Sequence, residues 1–332
     1  MRRSGDAANL VSTDSRSEQQ GGWFVALRGE RFDGHDHLAA AVAAGAKGLL
    51  VDRPLGKGRD AKALQGVAMV QVPDTTDALL AWSAQHRKAC GTPVVGITGS
   101  CGKTTTKDML GPVLATAGPA VWSKASYNNH IGVPLTLFQL RPETTGAVVE
   151  IGTNGPGEIG PLSRAAQPDI AIVTCVASAH LERLKSLDGG AEEKADLVRA
   201  LPKGAPAILN GDDLRVQGMA HGTAAREVLV RVDREADWFA TDVQFHGLGT
   251  SFQLRGGPDG GTALQVNLPR LGTHNVYNAL LVLAAGAELG IPVEVAADVL
   301  AGLPASHRRM ERYLRGGVEV FDDTYNMNPA SA

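Results

Sequence analysis

Residues 94–106 read VVGITGSCGKTTT, an apolar run that leads into a glycine turn ending in Gly-Lys-Thr. Such a turn binds phosphate, because small residues let successive backbone N–H groups point into one concavity at the positive end of the following helix. In this position Lys103 reaches the terminal phosphates, and the hydroxyl of Thr104 is a ligand for Mg²⁺. The stretch therefore predicts a strand, a phosphate-binding turn and a helix, with a nucleoside triphosphate as the ligand.

The glycine spacing departs from the strict P-loop pattern. That pattern places a glycine where this chain has Ile97, whereas its glycines are Gly96, Gly99 and Gly102. A bare Gly-Lys-Thr also occurs in ordinary turns that precede helices, so the motif alone leaves both interpretations open.

Composition limits the class of protein. With 332 residues, 43% hydrophobic and 20% charged, the chain is typical of a globular protein of about two or three domains. A net charge of -3 gives no overall positive potential that would attract nucleic acid, so we expect no nucleic-acid partner. The three cysteines lack metal-ligand spacing, and their odd number favours a reducing compartment, so we expect a cytoplasmic protein. We find no signal-peptide pattern and no apolar run long enough to cross a bilayer, and expect no membrane insertion.

The order of apolar runs and helical segments predicts an α/β fold. Apolar runs without alternation indicate parallel strands buried on both faces. We expect a small N-terminal α/β domain over 1–90, a central domain over 91–310 with a mostly parallel P-loop-type sheet between helices, and the start of a further domain over 311–332. The alternating residues 227–268 predict an antiparallel β-meander beside the parallel sheet. The predicted strands are 23–27, 48–51, 69–72, 94–98, 146–152, 169–176, 205–209 and 318–321, and the predicted helices are 37–45, 74–86, 186–198, 272–289 and one that begins at 103.

Gly111 and Pro112 interrupt the helical pattern that begins at Lys103. Proline has no backbone N–H and clashes with the preceding helical turn. The sequence therefore predicts a kink or an early end of this helix at residues 111–112.

Two polar residues follow buried strands of the predicted sheet. Glu150 ends one strand and His180 follows the next. Ligands of open α/β sheets bind beyond the carboxyl ends of the strands, and Mg²⁺ prefers oxygen ligands. Glu150 is therefore a candidate ligand for Mg²⁺ near Thr104, and His180 for a second ion. Taken singly, Glu150 would usually be interpreted as a solvated strand end and His180 as a capped loop residue.

Motifs along the chain resemble those of the Mur ligase family, whose members use ATP to join an amino acid or dipeptide to a peptidoglycan precursor. The resemblance extends from about residue 12 to 329. The matching motifs are Thr-Gly-x-x-Gly-Lys-Thr-Thr at 98–105, Ser-Leu-x-Gly-x(4)-Lys at 186–194, His-Asn-x-x-Asn-Ala at 274–279, Arg-hydrophobic-Glu at 309–311 and Asp-x-Tyr-Asn-x-Asn-Pro at 323–329.

The resemblance implies specific roles for residues in these motifs. It implies nucleotide contacts from Gly99, Ser100, Cys101, Gly102, Lys103, Thr104, Thr105, His274, Asn275, Asn278, Arg309 and Asp323. It implies two Mg²⁺ ions held by Thr104, Glu150, His180 and Lys194, and catalytic roles for Lys103, His180 and Lys194. The resemblance further implies that CO₂ carbamylates Lys194, which would replace a cation that repels Mg²⁺ with an anionic oxygen ligand.

Two polar loops near the N-terminus resemble the UDP-sugar-binding domain of the same family. Residues 14–16 read DSR, and residues 24–36 read FVALRGERFDGHD. Without the resemblance both would be interpreted as solvated turns. The implied substrate-binding residues are Asp14, Ser15, Arg16, His35 and Asn129.

The resemblance implies a reaction in peptidoglycan precursor synthesis. The expected enzyme joins D-alanyl-D-alanine to UDP-N-acetylmuramoyl-tripeptide through an acyl phosphate, uses ATP and Mg²⁺, forms ADP, and works as a monomer. Three alternatives remain open. They are a related ligase such as MurE or folylpolyglutamate synthetase, a P-loop hydrolase or kinase of another class, and a fragment that binds both nucleotides without turnover.

Members of the family continue into a Rossmann-like third domain. We therefore expect residues 311–332 to be the start of a truncated domain. Without that domain's sheet, residues 318–332 would have unpaired strand edges and be disordered.

Overall fold

The computed structural model describes residues 11–19, 21–54, 62–123, 125–178, 181–247, 249–257, 263–304 and 311–324, without the side chains of residues 181, 182, 311 and 312. Within these ranges the strands form three sheets, of four, nine and two strands. The predicted α/β fold class is confirmed.

The first sheet is parallel, and its strands follow each other in chain order. Its elements are β1 (Val11–Ser12), β2 (Trp23–Val25), α1 (Leu38–Ala43), β3 (Gly48–Val51), β4 (Ala68–Gln71) and α2 (Thr75–Cys90). The carboxylate of Asp74 begins α2 by accepting the backbone N–H groups of Thr76 and Asp77, which is the usual role of an aspartate at a helix N-cap. The helix continues past the predicted end at residue 86.

The second sheet is the centre of the molecule. Its strands are β5 (Val94–Thr98), β6 (Ala120–Trp122), β7 (Gly146–Glu150), β8 (Ile170–Val173), β9 (Pro206–Asn210), β10 (Arg226–Val232), β11 (Trp238–His246), β12 (Gly249–Gly256) and β13 (Leu264–Leu268). They lie in the order β13-β12-β11-β10-β9-β8-β5-β7-β6. All pairs from β6 to β11 are parallel, and β12 and β13 add an antiparallel extension.

The predicted meander over 227–268 is wrong for its first pair of strands, because β10 and β11 are parallel. The carboxylate of Asp237 accepts the backbone N–H of Leu229 over 2.7 Å, and Val230 lies opposite Trp238. Alternation of apolar residues indicates which face of a strand is buried, but not the direction in which its neighbour runs. The three strands β11 to β13 do form an antiparallel meander.

Helices cover both faces of the central sheet. They are α3 (Lys103–Leu114), α4 (Gly132–Leu137), α5 (Ile159–Ala166), α6 (Leu181–Leu184), α7 (Leu187–Arg199), α8 (Thr273–Glu288) and α9 (Val293–Gly302). Val95 and Ile97 pack with α3, α8 and α9, whereas Val94 packs with α4, α5 and α7. Successive residues of β5 thus fill opposite cores, as the unbroken apolar run predicts.

The helix α3 does not end at residues 111–112, so the predicted early end is wrong, while the alternative of a kink stays a prediction. It continues through Pro112 to Leu114. Proline inside a helix costs about 3 kcal/mol, but burying an aliphatic side chain contributes about 1.5–3 kcal/mol. Val113 and Leu114 are both buried, so packing outweighs the local preference.

The third sheet is a hairpin of β14 (Glu311–Arg315) and β15 (Val318–Asp322). The expectation that residues 318–332 lack a sheet partner is therefore wrong for β15. Gly316 and Gly317 both have positive φ, which suits a two-residue hairpin turn, so β15 pairs locally. Residues 325–332 lie outside the described residues, and the domain boundaries stay a prediction. In the described part of the chain, no helix has the length and apolar character that a membrane span requires.

Candidate functional site

The turn after β5 is shaped for an anion. Gly99 has a φ of 148°, and a Cβ there would lie 1.9 Å from Oγ1 of Thr174. No other residue therefore fits without moving the neighbouring strand end. The first intrahelical bond of α3 runs from the N–H of Thr106 to the carbonyl of Gly102, which leaves the N–H groups of residues 103–105 without a partner in the helix. These groups lie at the positive end of the helix dipole.

The chain that follows β8 forms hydrogen bonds with this turn. The N–H of Ser100 donates to the carbonyl of Cys175 over 2.8 Å, and the N–H of Cys101 donates to Sγ of Cys175 over 3.4 Å. Two of the predicted phosphate-binding N–H groups are therefore used within the protein. The hydrogen bond to the Cys101 thiol, together with burial, raises the pKa of Cys175 far above its usual value, so Cys175 adds no negative charge.

Lys103 folds back over the turn. Its Nζ donates to the carbonyl of Gly99 over 2.6 Å, with the carbonyl of Ser100 at 3.4 Å. The ammonium group therefore lies above the concavity of the turn, where a terminal phosphate would meet it.

Glu150 lies on the strand beside the turn, because β7 pairs with β5 and Ile97 is opposite Glu150. The side chain is 1% exposed. Oε1 accepts the amide N–H of Asn128 over 2.8 Å, while Oε2 is buried without a hydrogen-bond partner among the described residues. A buried carboxylate oxygen without a partner is costly, and a cation removes that cost. As an oxygen ligand, Oε2 of Glu150 thus fits the predicted Mg²⁺.

The described residues contain no group of three or more His, Cys, Asp and Glu side chains able to hold a metal ion. Any ion beside Glu150 would take its other ligands from hydroxyl groups such as that of Thr104, from water or from phosphate oxygens. Magnesium is commonly bound by one or two carboxylates together with substrate phosphates.

Lys194 lies in the core beside the same turn. Its side chain is 3% exposed, and Nζ donates to the carbonyl of Gly190 over 3.2 Å. Burial, and next the nearby charge of Lys103, lower the pKa of Lys194 to about 8. Roughly a tenth of the amine is neutral at pH 7 on this value.

The residues of the Ser-Leu-x-Gly pattern explain how α7 begins. Ser186 is the N-cap, and its hydroxyl accepts the N–H of Gly189 over 2.9 Å. A Cβ at Gly189 would lie 2.3 Å from the carbonyl oxygen of Leu184, so only glycine fits. The pattern therefore fixes the start of the helix that carries Lys194.

Glu193 is a residue that the sequence analysis missed. Its buried carboxylate accepts the N–H groups of Gly157, Glu158 and Ile159 over 2.7–2.8 Å. These groups begin α5, so Glu193 holds α7 against the chain that leaves Glu150. In sequence a glutamate beside a lysine is typical of an exposed helix face, and no local signal distinguishes this one.

The start of α8 meets the start of α3. The hydroxyl of Thr106 donates to Oδ1 of Asn278 over 3.1 Å, and Asn275 donates to the carbonyl of Leu271 over 2.8 Å. Burial lowers the pKa of His274, and the charge of Asp323 opposes that change. The structure thus brings Asn278 to the turn, where a Cβ at Gly102 would lie 2.7 Å from its Oδ1, and the charge of Asp323 acts on His274.

The predicted substrate-binding residues are held by contacts within the described part of the chain. Arg16 pairs with Asp14 over 2.8 Å, and the hydrogen bond between their side chains lowers the pKa of Asp14 to about 2. Both of these side chains are exposed, and Ser15 between them is half-buried. Asn129 accepts the N–H of Gly132 and so begins α4.

His35 is held inside a charged cluster. Its Nδ1 lies 2.7 Å from Oδ1 of Asp33, and its Nε2 accepts the N–H of Asp52 over 3.2 Å. Arg28 pairs with the carboxylate of Asp52, and Arg53 pairs with that of Asp33. Both ring nitrogens of His35 are therefore used within the protein. Its predicted contact with uridine stays a prediction, and His180 and Arg309 lie outside the described residues.

Two family models match the chain. Residues 97–286 match the Mur ligase middle domain, and residues 8–87 match the Mur ligase family catalytic domain. The UDP-N-acetylmuramoyl-tripeptide–D-alanyl-D-alanine ligase of Bacillus subtilis is 36% identical over 97% of this chain and 68% of its own length. The enzyme of that name from Mycobacterium tuberculosis is 39% identical and is covered to 66%. The chain therefore spans about two thirds of the length of these relatives.

Solved structures agree with this similarity. MurF from Acinetobacter baumannii has a TM-score of 0.87 and 33% identity, with 97% of this chain and 68% of that chain covered. MurF ligase from Thermotoga maritima, solved in complex with ADP, has a TM-score of 0.84 and 25% identity, with 98% and 73% covered. This chain belongs to the Mur ligase family.

Proposed function

We propose that this chain carries the nucleotide and metal sites of an ATP-dependent ligase that joins D-alanyl-D-alanine to UDP-N-acetylmuramoyl-tripeptide. The observation that carries the proposal is the closeness of three groups, since β7 places Glu150 beside the turn after β5 and the charge of Lys103 acts on Lys194. The three groups are the turn below Lys103, the Oε2 of Glu150, which has no hydrogen-bond partner among the described residues, and the buried amine of Lys194. The names of the relatives support the choice of substrates.

The proposed reaction has two steps. A carboxylate oxygen of the tripeptide attacks the γ-phosphorus of ATP, and the bond from that phosphorus to the bridging oxygen breaks and releases ADP. The amine of D-alanyl-D-alanine then attacks the acyl carbon. The bond from this carbon to the phosphate oxygen breaks, phosphate leaves and the nitrogen loses a proton.

The residues of the turn act mainly by placement and charge. Negative charge gathers on the phosphoryl oxygens during transfer, and Lys103 with the N–H groups of residues 103–105 would stabilise it. Glu150 and Thr104 would hold Mg²⁺, which supplies further positive charge at these oxygens when bound. Such a reaction needs no side-chain nucleophile.

Lys194 has the second role in the proposal. The neutral amine adds through its nitrogen to the carbon of CO₂ and loses a proton to water, which gives a carbamate. A pKa of about 8 makes the neutral amine available near neutral pH. The anion would remove the repulsion between Lys194 and Lys103 and offer oxygen atoms to a second Mg²⁺. The family resemblance is the basis of this step. The proposal further takes the protein as a cytoplasmic monomer.

Calorimetry with ADP and Mg²⁺ tests the nucleotide site. We expect Lys103→Ala to weaken binding at least about tenfold, because an ion pair with a phosphate in a shielded site is lost. Lys88→Ala, an exposed lysine on α2, is the matched control. Equal affinity of the Lys103→Ala protein and the unchanged chain would refute the site.

Phosphate release tests the reaction. Release that requires ATP, UDP-N-acetylmuramoyl-tripeptide and D-alanyl-D-alanine together would support the ligase. Release that requires ATP alone would indicate a nucleotide hydrolase instead. Nucleotide binding without any release would leave the chain as a binding fragment and contradict turnover.

A further inference from the structure

Lys107 is a buried cation one helical turn after Lys103. Its side chain is 1% exposed, and Nζ donates to the carbonyls of Ser123 and Ala125 over 2.8 and 2.6 Å. Nζ also lies 3.0 Å from a carboxylate oxygen of Asp108. Two carbonyl acceptors and a nearby carboxylate thus compensate the ammonium group, as a buried charge requires. No step of the proposed reaction uses this lysine.

The segment that Lys107 holds has a disfavoured backbone conformation. Ala125 has a φ of 45°, in the left-handed region. That conformation is unfavourable for a residue other than glycine. The carbonyl of Ala125 accepts the shorter of the two bonds from Lys107. Because a charged donor makes a strong hydrogen bond, Lys107 offsets the cost of the turn.

The same segment carries groups that orient Glu150. The hydroxyl of Ser123 accepts the backbone N–H of Glu150 over 3.2 Å. The amide of Asn128 donates to Oε1 of Glu150 over 2.8 Å, which directs the carboxylate so that Oε2 is the oxygen left without a partner among the described residues. The hydroxyls of Ser126 and Thr104 lie 3.5 Å apart. Residues 123 and 125–128 thus lie between the start of α3 and the end of β7.

We propose that Lys107 is a positioning residue that fixes residues 123 and 125–128 on α3 and so sets the direction of Glu150 Oε2 relative to Thr104. The inference rests on the proposed function for the identity of the cation, Mg²⁺, that these two groups would share. Lys107 acts through these residues and not on the nucleotide, because its Nζ donates to Ser123 and Ala125 and pairs with Asp108.

Calorimetry of ADP binding, with and without Mg²⁺, separates this role from a general effect on the fold. We expect Lys107→Met to lower the Mg²⁺-dependent gain in ADP affinity about tenfold, the usual scale for residues that orient metal ligands. Affinity for ADP without Mg²⁺ should change less than about twofold, since the phosphate turn keeps its own contacts. Lys107→Arg should retain most of the gain, and exposed Lys88→Met is the matched control.

Substitutions of Ala125 test the same link from the other side. Glycine adopts this φ without cost, so Ala125→Gly should restore part of the gain in the Lys107→Met protein. Valine is strained there, so Ala125→Val should lower the gain in a chain that keeps Lys107. Ala125 is exposed, so valine meets no core and the test holds even if Lys107→Met does not fold.

These measurements distinguish a failure of the proposed function from a failure of the role of Lys107. If the unchanged chain gains no ADP affinity from Mg²⁺, the proposed function fails. If it does, but folded Lys107→Met or Ala125→Val gains as much as the unchanged chain, the role of Lys107 is refuted.

Discussion

The amide of Asn128 donates to Oε1 of Glu150 over 2.8 Å, and the second oxygen of the same buried carboxylate has no hydrogen-bond partner among the described residues. One oxygen is therefore fixed by the protein and the other is available to a ligand. Such an arrangement costs stability in the absence of a cation and favours cation binding.

Glu150→Gln should separate binding from stability. The glutamine keeps an oxygen for Asn128 but removes the buried charge. We expect the Mg²⁺-dependent gain in ADP affinity to be lost, while the free energy of unfolding in metal-free buffer rises by about 1 kcal/mol. Calorimetry and urea unfolding measure the two effects. Glu143→Gln, on an exposed loop, is the control, and a Glu150→Gln protein that still gains affinity from Mg²⁺ would remove Glu150 from the metal site.

Lys194→Ala should abolish phosphate release in a chain that shows turnover, since the side chain lies buried beside Lys103. A short carboxylate such as acetate or formate should restore part of it, because a small anion in the vacated space would replace the carbamate oxygens. The steady-state rate at increasing carboxylate concentration is the measurement. Exposed Lys203→Ala is the control. If chloride restores the rate as well as acetate does, the carbamate is not the missing group.

Glu193→Gln should destabilise the protein by about 1–3 kcal/mol, because three N–H groups at the start of α5 then share a weaker, uncharged acceptor. The neighbouring Glu192→Gln provides a close control. Glu192 is exposed and pairs with Arg199 over 2.7 Å, and exposed ion pairs contribute only about 0–1 kcal/mol. Urea unfolding of the two variants compares them, and equal stability would show that the cap of α5 carries little free energy.

Some of the residues around the turn after β5 could be predicted because the neighbouring sequence identifies them. Glycine spacing placed Gly99 and Lys103, and the end of an apolar run placed Glu150. Lys107 and Glu193 had no such signal, because a charged residue in a helical pattern is usually exposed. Their partners are backbone groups of other segments, which only the folded chain brings near. The parallel pairing of β10 and β11 was missed for the same reason.

Lys194 should also make stability depend on pH. Its pKa is about 8 in the folded protein against 10.5 for the free side chain, so between these values the unfolded chain binds more protons. The free energy of unfolding therefore rises with pH across this window, by at most about 3 kcal/mol. Below pH 8 both states are protonated and the full cost of burying the charge remains. Lys194→Met removes this titration and should flatten the rise.

Urea unfolding of the unchanged chain and the Lys194→Met protein at several pH values, in buffer freed of CO₂, measures the difference. Groups other than Lys194 titrate in both proteins, so their effects on the free energy of unfolding largely cancel in the difference. The methionine protein should be the more stable near pH 7, and its advantage should shrink as the pH rises through about 8 toward 10.5. An advantage that stays constant over this range would mean that Lys194 keeps its usual pKa, and the neutral amine required for the carbamate would then be scarce at pH 7.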